Sequence, residues 1–155
     1  MLVGASATPA SADLTAFLGF SPTPETHLAK GLAVGAGLVI VGFEFEYSHL
    51  DDDTANLVPS LTTVSGNVLV QTPVPIHGWQ LYGTIGGGGY REKLFDRDRL
   101  LDFQETQVTS NFGGGAKVNL VGPLRLRFDY RLFSLYGSPL HDKVHRFYVG
   151  ANLKF

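Results

Sequence analysis

Cysteine is absent from this chain of 155 residues, and charged residues are scarce. Without cysteine the chain has no disulfide, no thiolate metal ligand and no cysteine nucleophile. Charged residues make up 17% of the sequence, against roughly 25% in an average soluble domain. The formal net charge of −2 gives no broad basic surface, so no nucleic-acid partner is expected.

The sequence also lacks a run of about 20 apolar residues, which is the length that a transmembrane helix needs. The most apolar uncharged run, residues 31–43, is short and is interrupted by Gly35, Gly37 and Gly42. A longer uncharged run, residues 54–90, contains prolines and polar amides. If the chain crosses a membrane, helices do not carry it across.

What the sequence does have is apolar residues alternating with polar ones, the pattern of a β-strand with two unlike faces. In Leu124–Leu132 the apolar residues share one face, and three arginines and an aspartate share the other. Val41–Tyr47 repeats the pattern with Glu44 and Glu46 on its polar face, and Phe147–Phe155 repeats it again. Three separate segments therefore predict strands.

Five weaker segments bring the predicted number of strands to about eight: Leu14–Phe20, Ala29–Leu38, Thr62–Thr72, Trp79–Arg91 and Gln107–Leu120. Tight connections are predicted near Gly37-Leu38, at Val74–Gly78 and at Val121–Pro123. The longer polar connections all fall at the other end of the strands: residues 21–28, 50–61, 92–106 and 136–144. The pattern predicts an all-β fold, an eight-stranded antiparallel up-and-down transmembrane barrel with long loops at one rim and short turns at the other.

The barrel domain is predicted to span residues 13–155. Residues 1–12 are small and uncharged and end in Ala10-Ser11-Ala12, which resembles the cleavage end of a secretory signal. We interpret them as a flexible N-terminal segment or a signal remnant.

The polar faces of the strands indicate which side of the barrel faces outward. A water-facing exterior carries many lysines and glutamates, whereas these polar faces hold mainly small residues that suit a narrow lumen: Gly31, Ala33, Gly35, Ser65, Asn67, Gln71, Thr84, Gly86, Gly88, Gly113, Gly115 and Asn119. The opposite faces then form a lipid-facing band: Leu32, Val34, Val64, Val68, Val70, Leu81, Ile85, Val118, Leu126, Phe128, Val149 and Leu153. Aromatic residues near the predicted strand ends suit interfacial girdles: Trp79, Phe112, Tyr130, Phe133, Phe147 and Phe155.

Three segments carry a resemblance to a known family: Asn111–Val118 (NFGGGAKV), Leu124–Arg131 (LRLRFDYR) and Arg146–Phe155 (RFYVGANLKF). With them the sequence resembles the small bacterial outer-membrane barrels, the OmpA-type transmembrane domain and its relatives in the outer-membrane β-barrel domain family. The resemblance implies a Gram-negative outer-membrane location, assembly by the barrel-insertion machinery, and a structural or surface role. The expected partners are the lipid bilayer and lipopolysaccharide, and the expected state is a monomer.

Charged residues on the inward faces form the most informative predicted site. The predicted lumen network comprises Glu44, Glu46, Lys117, Arg125, Arg127, Asp129, Arg131 and Arg146, with Lys154 near the periplasmic rim. Ions in a narrow lumen must be paired or hydrated. Three acids against six bases leave three unpaired positive charges, of which Arg125, Lys154 and Arg146 can reach water at the rims. The network is either a plug that holds the barrel together or the gate of a small, anion-leaning pore.

Other motifs give weaker signals. The glycine runs at residues 86–89 and 113–115 do not match phosphate-binding loops and are interpreted as lumen packing. His141 and His145 have a spacing that on a helix would suit a metal, but they lie in a loop before the last strand. Asp51–Asp53 offers ligands for Ca²⁺ or a bridge to lipopolysaccharide, but a solvated loop tip is the preferred interpretation, and Asp96–Arg99 is interpreted as a self-paired rim. No metal or cofactor is predicted.

The sequence therefore predicts a non-catalytic structural or surface-interaction barrel with a filled lumen. The alternatives are a small gated pore, a soluble barrel that binds an apolar ligand, and a barrel enzyme that modifies lipid A. Ser48-His49 is the only adjacent serine–histidine pair, and its order does not match the lipid A deacylase pattern. No catalytic residue is predicted.

Phe155 is predicted to be the assembly signal, a role that the resemblance implies for a terminal phenylalanine in phase with the lipid face. Deletion of Phe155 is expected to lower assembly into the outer membrane of cells far more than refolding into detergent, since only the cellular route reads the signal. The amount of barrel in outer-membrane fractions is compared with the yield of refolding. Equal amounts of the deleted and intact chains in the membrane would contradict this role.

Overall fold

The computed structural model describes residues 10–22, 26–52, 60–93, 106–137 and 142–155. They form eight strands: β1 (Ser11–Ser21), β2 (His27–Gly37), β3 (Val41–Leu50), β4 (Ser60–Gln71), β5 (Trp79–Lys93), β6 (Gln107–Val121), β7 (Leu124–Leu135) and β8 (Lys143–Lys154). Each strand pairs antiparallel with its neighbours in sequence, and β1 pairs with β8 to close the sheet. The predicted eight-stranded antiparallel barrel is confirmed. In the described part of the chain, no helix is long and apolar enough to cross a membrane.

The strands are longer than their alternating patterns predicted. β1 begins at Ser11, inside the segment 1–12 that was predicted to be flexible, because Ser11 and Ala12 pair with Gly37 and Ala36 of β2. Phe155 lies just beyond β8, although its backbone exchanges hydrogen bonds with Ala12. Backbone pairing thus continues past the residues whose side chains alternate clearly.

Residues 38–40, 72–78 and 122–123 connect the strands at one end of the barrel, where turns were predicted, and the connections after β1, β3, β5 and β7 lie at the opposite end. The difference in length is smaller than predicted, because the connection at residues 22–26 is shorter than the one at residues 72–78. His77 and Gly78 adopt positive φ angles of 53° and 84°, and Gly122 adopts 57°. These left-handed conformations allow the chain to reverse direction within a few residues.

The register of the strands sets the width of the lumen. Directly paired residues followed around the sheet from Arg91 return to β5 at Leu81, ten residues earlier on the same strand. A stagger of this size requires strands tilted by roughly 35–45° to the barrel axis, and eight strands enclose a space just wide enough for side chains to fill. The lumen is therefore a packed interior.

The exterior of the barrel is apolar, as the lipid-facing prediction required. All of the predicted band residues are exposed except Val118 and Leu126, which are half-buried. Charged side chains on the outer wall are confined to its ends, so this surface does not fit the alternative of a soluble barrel.

Two predicted placements are wrong. Phe133, predicted in an interfacial girdle, is buried in the lumen because it shares the phase of Arg127 and Arg131 on β7. Asn119, predicted to face the lumen, is exposed beside a register shift between β6 and β7.

Glycine alternates between the two faces within each glycine run. Gly88 faces the lumen beside Ser65 of β4, and a β-carbon there would collide with the backbone of Val64 and Ser65. Gly66 on β4 faces outward, and a β-carbon there would meet no atom within 4 Å. Close packing against a neighbouring strand therefore requires glycine at residue 88 but not at residue 66.

Substitution Gly88→Ala is expected to lower the free energy of unfolding by about 1–3 kcal/mol, because overpacking forces the backbone to shift. The matched variant Gly66→Ala is expected to leave the stability unchanged or to raise it by less than about 1 kcal/mol. Urea unfolding in detergent micelles, followed by the fluorescence of the single tryptophan, Trp79, measures both. Equal effects of the two variants would contradict the packing role of Gly88.

Candidate functional site in the barrel lumen

Two fully buried arginines of β7 form the centre of the lumen network. Arg127 pairs with Glu44 across the lumen and lies 3.0 Å from Asp129. Arg131 donates to Glu44 at 2.6 Å and to Asp129 at 3.0 Å, and it lies 2.7 Å from Glu46. Each arginine therefore joins carboxylates from β3 and from its own strand.

Tyrosine hydroxyls and aromatic rings complete this centre. The Arg127 Nε donates to the hydroxyl of Tyr82 at 2.7 Å, and that hydroxyl donates to Asp129. The guanidinium of Arg127 also lies 4.9 Å from the ring centroid of Tyr82. Planar contacts of this kind suit arginine, whose charge is spread over a flat group.

Arg146 of β8 extends the network toward the loop end of the lumen. Its guanidinium donates to Glu46 and Ser48 of β3 and stacks 4.4 Å from the ring centroid of Phe133. Phe133 was predicted on the outer surface, so this contact was not expected. The prediction that Arg146 reaches water at the rim is wrong, because its side chain is buried beneath other lumen residues.

Asp13 of β1 anchors the network near the turn end of the lumen. Its carboxylate lies 2.8 Å from Lys117 and 3.2 Å from Arg125. Arg125 also donates to Asn152 at 2.7 Å and to Gln80 at 3.1 Å. Its side chain is buried, so the prediction that Arg125 reaches water at the rim is wrong. Sequence reasoning missed Asp13 because the predicted first strand began one residue later, although the inward phase of β1 includes it.

The charge balance of the lumen differs from the prediction. With Asp13 included, each of the five described lumen cations, Lys117, Arg125, Arg127, Arg131 and Arg146, has at least one carboxylate partner. Lys154 is exposed at the rim. The predicted excess of three unpaired positive charges is therefore wrong, because one acid was overlooked and several carboxylates are shared.

An apolar layer lies inside the loop end of the barrel, above Arg146. It is formed by seven buried residues, here called the apolar cap: Ala29, Leu50, Leu61, Tyr90, Phe133, Leu135 and Val144. The hydroxyl of Tyr90 donates to the carbonyl of Tyr136 at 2.7 Å. Most of these residues lie at strand ends beyond the predicted strands, which is why the alternation did not reveal the cap.

The remaining candidate residues do not converge on one site. Ser48 is fully buried in the lumen, whereas His49 faces outward, where its Nδ1 lies 2.9 Å from the Thr62 hydroxyl. Asp51 pairs with Lys30 at 2.8 Å, and His145 lies 2.9 Å from the Tyr130 hydroxyl. Asp53, Asp96–Arg99 and His141 fall outside the described residues. Within the described ranges, no group of three acidic or histidine side chains is arranged to hold a metal.

Removal of Arg127 tests the energetic weight of the network. Arg127→Met keeps much of the side-chain volume but leaves Glu44 and Asp129 with one arginine fewer, so the free energy of unfolding is expected to fall by about 3–5 kcal/mol. Arg91→Met removes an exposed arginine and is expected to change it by less than about 1 kcal/mol. Urea unfolding in micelles measures both, and a change below about 1 kcal/mol for Arg127→Met would show that the buried network does not stabilise the barrel.

Comparison with known proteins agrees with this architecture. The N-terminal β-barrel domain of Pseudomonas aeruginosa OprF is similar with a TM-score of 0.70 at 16% identity, covering 94% of this chain and 97% of that one. Neisserial surface protein A gives a TM-score of 0.70 at 12% identity, covering 94% and 96%. The outer membrane enzyme PagL gives 0.56 at 10% identity, covering 91% and 98%. At these identities the likeness concerns the fold.

The sequence comparisons give the family. No curated protein matches the chain. Residues 3–155 match the family model of the outer membrane protein beta-barrel domain. The chain therefore belongs to the outer membrane β-barrel domain family.

Proposed function

We propose that this protein is a non-catalytic structural barrel of the Gram-negative outer membrane, and that its lumen is closed to solutes. The connections after β1, β3, β5 and β7 lie at the end away from both described chain ends, and we assign them to the cell surface. In this role the barrel stabilises the membrane and presents its loops to partners outside the cell.

The observation that carries this proposal is the filling of the lumen by two different layers. The ionic network joins β1, β3, β6, β7 and β8 through direct side-chain contacts. The apolar cap closes the loop end above it. An ion would have to displace paired charges in the first layer and then cross an apolar constriction that disfavours water in the second.

The position of Ser48 and His49 argues against the enzyme alternative. Hydrolytic catalysis needs a nucleophile and a base within hydrogen-bond reach, whereas these two side chains point to opposite faces of β3. Ser48 accepts a hydrogen bond from Arg146 and is sealed from lipid. The likeness to PagL supports a shared barrel fold and does not bring this pair together.

Conductance tests the closed lumen. In planar bilayers the parent protein is expected to show little or no conductance. Arg127→Ala weakens the network beneath an intact cap and is expected to produce brief openings. The double variant Arg127→Ala/Leu50→Ser also makes the constriction polar, and steady conductance is expected because both barriers are then weakened.

Heat-dependent gel mobility verifies that each variant remains a folded barrel before recording. Leu50→Ser alone serves as the control, since it leaves the network intact beneath the altered cap. Large, steady conductance in the parent protein would overturn the closed-lumen proposal and favour a pore.

A further inference from the structure

A groove of about 920 Å³ runs along the lipid-facing wall of the barrel across β8, β1, β2 and β3. Ala16 and Ala151 are directly paired and form its floor, and Leu18, Leu32 and Val149 are among the apolar residues that line it. Most other outward positions on these strands carry bulky apolar side chains. The small floor residues therefore leave a depression suited to extended hydrocarbon.

Polar side chains lie at the loop end of this groove. Lys30 and His49 both line it and are directly paired on β2 and β3. Lys30 is on the lipid-facing phase of β2, where a charge is costly unless the side chain reaches toward the interface. Its ammonium lies 2.8 Å from Asp51, at the end of β3, which shows the direction in which it extends.

Donor groups remain available at this end of the groove. The ammonium of Lys30 has three N–H donors, and its side chain is 49% exposed beside Asp51. The Nδ1 of His49 lies 2.9 Å from the Thr62 hydroxyl, and in the tautomer with its hydrogen on Nε2 the ring offers that N–H as a donor. That nitrogen is 3.6 Å from Asp51, beyond hydrogen-bond distance. Both side chains can donate to an anionic oxygen.

The next outward residues along the same paired row are Thr62 and Arg91. Arg91 is exposed and donates to the Thr106 hydroxyl at 3.1 Å. The row therefore places cationic groups on β2 and β5 with a histidine between them. This charge favours an anionic head group over a neutral one.

We propose that this groove binds one phosphate-bearing lipid of the outer leaflet, with an acyl chain along Ala16 and Ala151 and the phosphate against Lys30 and His49. The groove supplies apolar contact along the chain, and the basic end supplies charge-assisted hydrogen bonds. This site lies on the outside of the wall and acts independently of the closed lumen. It gives one side of the barrel a preference among membrane lipids.

Three related probes separate the contribution of the acyl chains from that of the phosphate. Native mass spectrometry of the folded barrel in detergent is carried out with dimyristoyl phosphatidic acid, with dimyristoylglycerol and with glycerol phosphate. The phosphatidic acid is expected to stay bound, dimyristoylglycerol to bind at least tenfold more weakly, and glycerol phosphate not to bind. Tight binding of glycerol phosphate would identify a free phosphate site and overturn the proposal.

Variants locate the binding on the barrel. Lys30→Gln keeps the side-chain length but removes the charge, and it is expected to weaken binding of phosphatidic acid about tenfold without changing that of dimyristoylglycerol. Ala16→Trp fills the groove and is expected to weaken binding of both lipids.

Matched controls exist on the same molecule. Lys143 is an exposed lysine at the loop end of β8. Ala116 lines a neighbouring groove of about 570 Å³, which shares Leu18 and Val149 with the first groove but has no lysine among its lining residues. Lys143→Gln and Ala116→Trp are expected to leave binding unchanged, and heat-dependent gel mobility verifies folding of all four variants. If Lys143→Gln weakened lipid binding as much as Lys30→Gln, and Ala116→Trp as much as Ala16→Trp, then lipid would bind the outer wall without selectivity, and the proposal would be overturned. Release of a fatty acid that depends on His49 would also overturn it, because the His49–Thr62 pair would then be catalytic.

Discussion

The narrow lumen of an eight-stranded barrel is the constraint on which the rest of this structure depends. A stagger of ten residues leaves space only for side chains, so every inward residue must fit against those of the facing strands. A charge in that space is too confined to keep its full hydration and must find a partner. Arginine suits this position because its flat guanidinium contacts several carboxylates and aromatic rings at once. The crossing from Arg127 to Glu44 is the clearest example, since it connects β7 to β3 through the middle of the barrel.

The same constraint explains which parts of the fold the sequence reveals. Where an apolar outer face meets a charged inner face, as in Leu124–Leu132, alternation identifies both the strand and its orientation. Ala29, Leu50 and Leu61 interrupt this pattern because they are apolar and face inward. Period-two alternation cannot distinguish an inward leucine at the mouth of the lumen from an outward leucine in lipid. The strands were therefore predictable, while the apolar cap required knowledge of where each strand ends.

The sequence predicts which charged residues face the lumen better than it predicts which of them pair with each other. The inward phase of β3, β6, β7 and β8 follows from sequence, and it contains every charged residue of the predicted network. Which carboxylate meets which arginine depends on register, and register depends on turns and on stagger around the whole sheet. Asp13 shows the consequence, because one overlooked acid at the start of β1 changes the charge balance of the entire turn end.

The barrel wall is a single sheet, so residues adjacent in sequence lie on opposite sides of it, one facing the lumen and the next facing the lipid. Ser48 contacts a buried arginine, and the next residue, His49, faces the lipid side and contacts Thr62 on the adjacent strand. Side chains that act together in such a fold therefore come from residues paired across strands rather than from residues adjacent in the chain. Lys30, His49 and Thr62 are an example. The contacts of the inner network do not include these outward residues, so the outer wall can differ from one side of the barrel to another. The packing of the lumen does not require a basic end beside small floor residues on one side of the outer wall, so this feature is explained by contact with an anionic lipid.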